Sequence, residues 1–253
     1  MLPIARKNKI KQMILVKKSV TVAELTKLFK VTEETIRRDL KQLEDEGVLI
    51  RTYGGAYISE GVQNDVDVKL REHIHVEGKQ KIASKCLQYI KNGDSIFLDA
   101  STTSLVIASM LKDIKLTVVT NSIKIVNALS DNPNINIVVI GGTLDRSSLS
   151  NVGRNAELHL KQYFFDTAFI SCRSISMNHG ITDSNELQAG MRKLAAEHGN
   201  KTILIADYTK FNRTSFASIC DFDSIDAIIV DQKLSEEWHE FLKERNVKLI
   251  ECD

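Results

Sequence analysis

Three cations, Arg37, Arg38 and Lys41, lie within five consecutive residues of a segment that otherwise resembles an ordinary amphipathic helix. A guanidinium group can donate two parallel hydrogen bonds to a guanine base or to a phosphate, whereas a lysine ammonium acts mainly as a point charge. Cations grouped on one side of a helix therefore predict contact with nucleic acid. The surrounding elements must turn that side outward.

The same segment contains apolar residues that would orient the helix in this way. At about 3.6 residues per turn, Ile36, Leu40 and Leu43 share one narrow face, and the three cations cover the opposite face. Thr32 is a suitable N-cap for this helix, and a shorter helix capped by Thr21 precedes it. A short helix followed by a basic-faced helix predicts a helix-turn-helix, whose second helix enters the major groove.

A β-ribbon is predicted immediately after the basic helix. Residues 48–58, VLIRTYGGAYI, place β-branched and aromatic side chains around Gly54 and Gly55, which favours two strands joined by a tight glycine turn. A ribbon in this position is a wing, from which Arg51 and Tyr53 would reach the DNA backbone or the minor groove. The alternative is a solvated charged helix followed by a purely structural hairpin. The ordered combination of two helices and a ribbon favours DNA binding.

The formal net charge of +1 conceals a division along the chain. Residues 1–57 carry twelve Lys and Arg against seven Asp and Glu, a net of +5, and the remaining residues carry 22 against 26, a net of −4. A small basic segment joined to a larger acidic one indicates a nucleic-acid module attached to a different kind of domain. We expect a DNA-binding domain at 1–58, a polar linker at 59–78 and a second domain at 79–253.

Composition limits the classes of protein to which the chain can belong. Its 253 residues are enough for two ordinary domains. The apolar runs are too short for a membrane span or a secretory signal, so we expect a cytoplasmic protein. The four cysteines and six histidines are scattered without ligand spacing, so we expect no metal site, no cofactor and no disulfide framework.

Beyond residue 82, short β-rich runs alternate with helical stretches, which predicts an α/β domain with a largely parallel, buried sheet. The predicted strands lie at 96–99, 116–121, 135–142, 167–172, 202–207, 227–231 and 247–251. The predicted helices lie near 79–91, 103–112, 122–130, 154–163, 185–198 and 235–245. In open sheets of this kind ligands bind beyond the carboxyl ends of the strands, so a site is expected there.

Polar residues and glycines follow several of the predicted strands. Three hydroxyl residues follow the first strand and open a helix, and such donors at a helix N-terminus form an anion cradle. A glycine pair after the third strand indicates a close backbone approach or a positive φ. The candidate effector-binding residues are Asp99, Ser101, Thr102, Thr103, Thr120, Asn121, Ser122, Gly141, Gly142, Thr182, Glu186 and Lys210.

Two charged residues in this set have separate expected roles. Lys210 could neutralise a phosphate that the cradle holds. Asp99 would either orient its own loop by accepting backbone N–H bonds or bind a sugar hydroxyl. Helix capping is the alternative for each hydroxyl group, since Ser, Thr and Asn cap helices in many proteins. Their repetition at successive strand ends favours a ligand, namely a phosphorylated sugar or polyol.

Two sets of motifs resemble those of a known family. The string V-T-E-E-T-I-R-R-D-L, followed by L-E, G and R-T-Y-G-G, resembles the N-terminal signature of the DeoR family of bacterial transcription regulators, with Thr32 in place of the usual Ser. The later chain resembles that family's C-terminal sensor domain at Asp99, Thr120-Asn121-Ser122, Gly141-Gly142, Asp166, Gly180-Ile181-Thr182 and Asp207 to Phe211. The resemblance covers nearly the whole chain.

The resemblance implies a small N-terminal winged helix-turn-helix domain and a larger α/β effector domain, similar in fold to ribose-5-phosphate isomerase and glucosamine-6-phosphate deaminase. Together with the helix pattern, it indicates DNA contacts at Thr32, Thr35, Arg37, Arg38, Lys41, Arg51 and Tyr53. Two positions depart from the family's pattern. Ser101 replaces a common glycine, which restricts positive φ but adds a hydroxyl. Arg173, after Cys172, either points into the pocket and alters effector choice or lies at the surface.

We therefore expect a sequence-specific DNA-binding transcriptional regulator, a repressor under allosteric control by a phosphorylated sugar or a related metabolite, with no catalytic site. A homo-oligomer, either a dimer or a tetramer, is expected because such proteins read repeated half-sites. The alternative is a sugar-phosphate isomerase or deaminase with a DNA-binding appendage, for which Asp99, Asp183 and Glu186 are nominal acid/base groups. Activation instead of repression is a further alternative.

Overall fold

The computed structural model describes residues 2–17, 19–46, 48–57, 72 and 75–252. The chain divides into two compact units, residues 1–74 and 75–253. Most of the predicted linker, residues 59–78, lies outside the described residues, and a helix of the second unit begins within that range, at Val76.

Three helices and a three-stranded antiparallel sheet make up residues 2–57 of the first unit, apart from residues 18 and 47. In chain order they are α1 (Pro3–Lys17), β1 (Ser19–Thr21), α2 (Val22–Phe29), α3 (Glu33–Asp45), β2 (Ile50–Thr52) and β3 (Gly55–Tyr57). The two predicted caps are present. The Oγ1 atom of Thr21 accepts the N–H of Glu24 at 3.1 Å. The Oγ1 atom of Thr32 accepts the N–H of Thr35 at 3.3 Å.

The apolar side chains of the three helices share a core. Ile36, Leu40 and Leu43 of α3 are fully buried, as their spacing predicts. They pack with Ile14 of α1 and Leu25 of α2. Because burial of this face leaves the other side of α3 at the surface, the packing determines where the cations lie. A winged helix-turn-helix is therefore confirmed in the first unit.

Strand β1 is an element that the sequence does not predict, since three residues are too few to show an alternating pattern. It pairs antiparallel with β3, with Val20 opposite Ala56, and the sheet has the order β1-β3-β2. The ribbon that forms the wing is therefore anchored along one side by the residues that precede α2.

The turn of the wing contains one of its two glycines, whereas the sequence predicts that both form the turn. Thr52 pairs with Gly55, so Tyr53 and Gly54 form the turn and Gly55 belongs to β3. A Cβ atom on Gly55 would lie 2.1 Å from the carbonyl oxygen of Val20. The prediction of a Gly54-Gly55 turn is wrong by one residue, because Gly55 allows the close approach of β1 and does not make the turn.

The second unit consists of twelve described strands and six described helices. The strands are β4 (Ser95–Leu98), β5 (Leu116–Thr120), β6 (Ile135–Val139), β7 (Thr143–Asp145), β8 (Ser150–Val152), β9 (Thr167–Ile170), β10 (Ser174–Ser176), β11 (Gly180–Asp183), β12 (Thr202–Ala206), β13 (Ala217–Cys220), β14 (Ala227–Val230) and β15 (Lys248–Glu251). The helices are α4 (Val76–Cys86), α5 (Thr102–Met110), α6 (Ile123–Leu129), α7 (Arg154–Leu160), α8 (Glu186–His198) and α9 (Glu236–Glu244), with short 3-10 turns at Leu87–Tyr89, Tyr208–Lys210 and Phe222–Ser224.

A seven-stranded sheet of order β15-β14-β12-β9-β4-β5-β6 lies at the centre of this unit, and its neighbouring strands are all parallel. The chain moves outward in one direction from β4 to β6 and in the other from β9 to β15, so the strand order reverses between β4 and β9. Apolar clusters cover both faces of the sheet. The seven predicted strands and the α/β fold class are confirmed, because buried parallel strands read as apolar runs.

Two smaller antiparallel sheets are not predicted by the sequence. Strands β7 and β8 form a hairpin, and β10, β11 and β13 form a sheet of order β10-β11-β13. These strands have three or four residues and contain many hydroxyl side chains, so they show no clear apolar period. Among the described residues, no helix combines the length and the apolar character that crossing a bilayer requires.

The glycine at position 55 should be intolerant of even a small side chain. A methyl group there meets the backbone of β1, so we expect Gly55→Ala to lower the free energy of unfolding of the first unit by about 1–3 kcal/mol. Gly54→Ala is the matched control, because no atom lies within 4 Å of the Cβ position on Gly54. Urea unfolding followed by circular dichroism would compare the two variants, and equal midpoints would contradict the assignment.

Candidate DNA-binding surface and candidate effector site

The exposed face of α3 carries the three predicted cations. The Arg38 side chain is 73% exposed and lies 3.8 Å from Glu34. Lys41 is also exposed. The guanidinium of Arg37 already makes a hydrogen bond within the protein, because its Nη1 atom donates to the carbonyl oxygen of Tyr53 at 3.1 Å. Since an exposed ion pair contributes little to stability, the guanidinium of Arg38 can exchange its acidic neighbour for a phosphate or a base at little cost.

The wing is held against α3 by contacts at both of its ends. The Arg37 bond fixes the turn, where Tyr53 is 98% exposed. Near the end of α3, Glu44 accepts the backbone N–H of Arg51 at 2.9 Å and lies 3.6 Å from its guanidinium. The predicted contacts Arg51 and Tyr53 therefore lie on a ribbon whose position relative to α3 is fixed.

Thr32 and Thr35 lie at the N-terminal end of α3, with their Oγ1 atoms 2.9 Å apart. Thr32 is exposed and Thr35 is half-buried. Both hydroxyls take part in the cap, so the cap alone explains their presence. All seven predicted contact residues thus lie on α3 and the wing, and their contact with DNA stays a prediction.

A buried ion pair in the first unit was not predicted from the sequence. The guanidinium of Arg6 on α1 donates from Nε to one oxygen of Asp39 at 2.6 Å and from Nη2 to the other at 3.3 Å. Arg6 is 6% exposed and Asp39 is 4% exposed. The hydrogen bond that Arg6 donates to Asp39 raises the pKa of Arg6 despite the opposing effect of burial. Asp39 lies between Arg38 and Lys41 in sequence, so the pair fixes the helix that carries these cations.

The carboxylate of Asp99 is the centre of the strand-end region in the second unit. It follows β4, beside β9, at the point where the strand order reverses. Its oxygens accept five hydrogen bonds, from the N–H of Ser101 at 3.2 Å, the hydroxyl of Ser104 at 2.6 Å, the N–H and hydroxyl of Ser171 at 2.9 and 2.6 Å, and the Nε of Arg192 at 2.7 Å. Two of these donors are backbone N–H groups, so Asp99 orients its own loop, which is the first of its two expected roles.

The charge of Asp99 is stabilised by these donors. Burial alone would raise the pKa of the carboxyl group, but Arg192 and the serine donors outweigh burial and hold the pKa at about 2. Arg192 also donates from Nη1 to Asp183. Burial lowers the pKa of the Arg192 guanidinium, while Asp183 and Asp99 raise it by more, so Arg192 stays charged. The three groups form a buried Asp99–Arg192–Asp183 cluster.

Three hydroxyl residues open helix α5. The Ser101 hydroxyl caps the helix by accepting the N–H of Ser104 at 3.0 Å. Ser101 has a φ of −88°, so replacing the family's glycine causes no backbone strain. Thr102 and Thr103 occupy the first turn, where backbone N–H groups have no partner within the helix. The predicted anion cradle is therefore a helix N-terminus whose first hydroxyl serves as its cap.

Two of the three polar residues at the end of β5 use their hydroxyls in hydrogen bonds within the fold, and the third has an acceptor without a described partner. Thr120 donates its hydroxyl to the carbonyl oxygen of Leu98 at 2.7 Å, and the Ser122 hydroxyl accepts the N–H of Ile125 at 3.4 Å. Asn121 is 1% exposed. Its Oδ1 atom receives no hydrogen bond from the described residues. Asn121 is thus the member of this group whose side chain retains an unused acceptor.

The remaining candidates lie at several places around the strand ends. Gly142 has a φ of +153°, and a Cβ atom there would lie 2.8 Å from the Cβ of Ala156, so both predicted reasons for glycine apply. The N–H of Gly141 donates to Nδ1 of His159 at 3.2 Å. The buried Thr182 hydroxyl accepts the N–H of Ser215 at 2.8 Å.

Glu186 lies at the exposed start of α8, outside the cluster around Asp99. Lys210 lies in the turn after β12, where its charge lowers the pKa of Asp207 against the effect of burial. Burial raises the pKa of the Cys172 thiol, and Lys210 and Arg192 are the cations that oppose this rise. Lys210 therefore belongs to the same strand-end region as Arg192. Arg173 is half-buried and its N–H donates to the carbonyl oxygen of Thr182 at 3.0 Å.

Arg192, Ser171 and Ser104 surround Asp99 in the candidate site, and the sequence did not indicate them. Arg192 lies in the middle of α8 and is separated from Asp99 by 93 positions, so no local motif connects them. Within the described ranges, His, Cys, Asp and Glu side chains form no group of three or more that could hold a metal ion.

The charge on Asp99 should stabilise the second unit in a pH-dependent way. Its pKa is lowered from 3.8 to about 2, so the stabilisation is present above the ordinary pKa and is lost as the pH falls toward about 2. Near pH 7, Asp99→Asn should reduce the free energy of unfolding by on the order of 2–4 kcal/mol, because the buried Arg192 loses one of its two carboxylates. Urea unfolding over a pH series would measure the difference from the parent protein.

Asp131→Asn, at an exposed position after α6, is the control for that series. The difference between Asp99→Asn and the parent should shrink as the pH falls from about 5 to about 2. A difference that stays constant over this range would contradict a charged Asp99.

Two family models match the chain in succession. Residues 6–61 match the DeoR-like helix-turn-helix domain, and residues 74–232 match the DeoR C terminal sensor domain. The uncharacterised HTH-type transcriptional regulator YulB of Bacillus subtilis is 39% identical, over 98% of this chain and 96% of its own length. The putative aga operon transcriptional repressor of Escherichia coli O157:H7 is 32% identical, over 97% of this chain and 92% of its own.

The L-fucose operon activator of Haemophilus influenzae is also 32% identical, over 91% of this chain and 92% of its own length. Among solved structures, ribose 5-phosphate isomerase A of Methanocaldococcus jannaschii is similar with a TM-score of 0.39 and 15% identity, over 53% of each chain. That likeness is too low to transfer an activity. The two successive family models and the full-length relatives show that this chain belongs to the DeoR family of HTH-type, DNA-binding transcriptional regulators with a C-terminal sensor domain.

Proposed function

We propose that this regulator is a repressor, and that a phosphorylated sugar or a related metabolite bound by the second unit modulates its affinity for DNA. The observation that carries the proposal is the arrangement of α3, which buries Ile36, Leu40 and Leu43 and exposes Arg38 and Lys41 beside a fixed wing. Duplex DNA is the partner that suits this surface, because its phosphates and guanine edges accept the hydrogen bonds that these cations donate.

The strand-end region supports an anionic effector that carries hydroxyl groups. The N–H groups of Thr102 and Thr103 in the first turn of α5 are suited to a phosphate. Lys210 adds positive charge in the same region. The buried Oδ1 of Asn121 is suited to accept a hydroxyl hydrogen. Two relatives are named for the aga and L-fucose operons, which supports a sugar as the source of both groups.

Asp99 is better suited to positioning than to effector contact. It is 2% exposed, and its two oxygens already accept five hydrogen bonds. We therefore assign the effector contacts to the backbone of Thr102 and Thr103, to Asn121 and to Lys210. Asp99 and Arg192 would hold α5, β9 and α8 in the geometry that these contacts need.

Control by an effector requires that its affinity differ between a DNA-competent and a DNA-incompetent arrangement. We propose a cytoplasmic homo-oligomer that binds repeated half-sites, since a single small DNA-binding domain seldom provides enough affinity. We also propose that the second unit has no catalytic turnover. Two nominal acid/base groups, Asp99 and Asp183, are paired with Arg192, and a carboxyl with a pKa near 2 is a poor base at neutral pH.

Truncation of Arg38 should weaken DNA binding without weakening the fold. Operator sequences would first be selected from a random duplex library with the parent protein. Arg38→Ala should then reduce affinity by about 1–3 kcal/mol if it contacts a base, and should lower the salt dependence if it contacts a phosphate. Fluorescence anisotropy would measure both, with exposed Arg154→Ala in the second unit as the control. Failure to select any preferred sequence would contradict the proposed function itself.

Truncation of Lys210 should separate effector response from DNA binding. A thermal-shift screen against phosphorylated sugars would identify a ligand, since binding to the folded state alone raises its melting temperature. Lys210→Ala should remove most of this shift and the effector's influence on operator affinity, while leaving operator affinity without effector unchanged. Exposed Lys161→Ala is the control. Equal effector titrations for Lys210→Ala and the parent would exclude Lys210 from the site, and turnover of a phosphorylated sugar would contradict the absence of catalysis.

A further inference from the structure

Strand β6 lies at one edge of the seven-stranded sheet. Within the described part of the chain it pairs with β5 on one side and with no strand on the other. Edge strands of soluble proteins are usually protected by charged residues, prolines or bulges, because their unpaired backbone groups can bind another strand. The sequence of β6 is Ile-Asn-Ile-Val-Val, which contains none of these charges or prolines. The opposite edge, β15, carries Lys248 and Glu251 within four residues.

The hydrogen bonds at the ends of β6 show which backbone groups are unpaired. The carbonyl oxygen of Asn134 accepts from β5 and the N–H of Ile140 donates to β5. Because successive residues of a strand point alternately to its two neighbours, even-numbered residues of β6 face β5 and Ile135, Ile137 and Val139 face outward. The N–H of Ile135 is used within the chain, since it donates to Asn132. The outward groups that remain are the C=O of Ile135 and both groups of Ile137 and Val139.

Four of these five groups are complementary to the same groups of a second copy. In an antiparallel pair centred on Ile137, the N–H and C=O of Ile137 exchange bonds with those of Ile137 in a second copy. On each side of the centre, the N–H of Val139 meets the C=O of Ile135 from the other copy. These four central bonds do not involve the N–H of Ile135, which already donates to the carbonyl oxygen of Asn132. A two-fold axis at Ile137 therefore forms four inter-strand hydrogen bonds. The C=O of Val139 receives no N–H from the second strand in this register, because the N–H of Ile135 opposite it already donates to Asn132.

Exposed aliphatic side chains lie on β6 and on the elements that follow it in the chain. Val139 is 39% exposed, Leu144 on the following hairpin is 48% exposed, and Leu158 on α7 is 52% exposed. Helix α7 lies at the end of β6, since Nδ1 of His159 accepts the N–H of Gly141. A strand without charged residues does not favour an acidic or a basic partner. The same strand in a second copy is also uncharged, and exposed aliphatic side chains lie beside it as well.

We propose that two copies of this chain associate through antiparallel pairing of β6 with β6, which joins their sheets across a two-fold axis at Ile137. The proposal gives the homo-oligomer proposed above a specific interface, and it requires neither DNA nor effector. Directly opposite β-branched side chains, Ile137 with Ile137 and Val139 with Ile135, would add packing across the pair.

A cysteine cross-link tests the register. Paired Cα atoms at the centre would lie about 5.5 Å apart, within the range that a disulfide bridges. Ile137→Cys should therefore form a disulfide-linked dimer rapidly in dilute protein under copper phenanthroline. Val138→Cys is the matched control. Residue 138 lies on the other face of the sheet, opposite residue 136 of the second copy. It is therefore too far from residue 138 of that copy to form a disulfide. The parent chain, whose Cys86, Cys172 and Cys252 are buried, measures the background.

A proline substitution tests the backbone bonds. The N–H of Val139 faces away from β5, so Val139→Pro should keep the internal sheet and halve the mass of the species that pairs through β6. Leu249→Pro is the control on the opposite edge, where the N–H also faces outward because Lys248 and Cys252 donate to the β14 side. Analytical ultracentrifugation would measure mass, and circular dichroism would confirm folding. If Val139→Pro fails to fold, the cross-linking result decides alone.

Three outcomes would overturn the interface: a monomeric parent protein at micromolar concentrations, an unchanged mass for folded Val139→Pro, or equal cross-linking of Ile137→Cys and Val138→Cys. These measurements are made without DNA or effector. A failed interface would therefore leave the proposed function intact, and failure to select an operator would leave the interface intact.

Discussion

Burial of the Asp99 carboxylate is the constraint on which the strand-end region of the second unit depends. An unpaired charge at a site only 2% exposed would be strongly destabilising, so donors have to surround it. They come from the loop after β4, from α5, from the residue that follows β9 and, through Arg192, from α8. One carboxylate thereby fixes four elements at the point where the strand order reverses. The first turn of α5 acquires its position from this network, and so does any anion that it binds.

The first unit uses the same chemistry in a different element. Asp39 lies on the inner side of α3 and pairs with Arg6 of α1, and both groups are buried. A buried pair of this kind often contributes little net stability compared with apolar residues, but loss of either partner is costly. Its effect is to restrict the rotation and sliding of α3 on α1. Each functional element, α3 in one unit and α5 in the other, is thus located by a buried aspartate that an arginine neutralises.

Local patterns were sufficient to predict the seven parallel strands, the buried face of α3 and the caps at Thr21 and Thr32, because each depends on residues close in sequence. The ion pairs could not be predicted in this way. Arg6 and Asp39 are separated by 33 positions, and Asp99 and Arg192 by 93. Only the topology brings these partners together, and an arginine in the middle of a helix looks like any exposed cation. The prediction that Gly55 forms the turn is wrong for a related reason, since the atom that requires glycine at this position belongs to β1, which is distant in sequence.

Capping and ligand binding, which the sequence leaves as alternatives for the strand-end hydroxyls, are compatible in the folded protein. The hydroxyls of Ser101 and Ser122 accept backbone N–H groups of the helices that they cap, and the hydroxyl of Thr120 donates to the carbonyl oxygen of Leu98 at the end of β4. Their occupation holds the loops open and leaves the backbone N–H groups of α5 and the Oδ1 of Asn121 for a ligand. The proposed site would contact an effector mainly through donors and acceptors whose positions are set by caps. Discrimination among sugars would then depend on the few groups that still vary, with Lys210 meeting the anion and Asn121 meeting a hydroxyl.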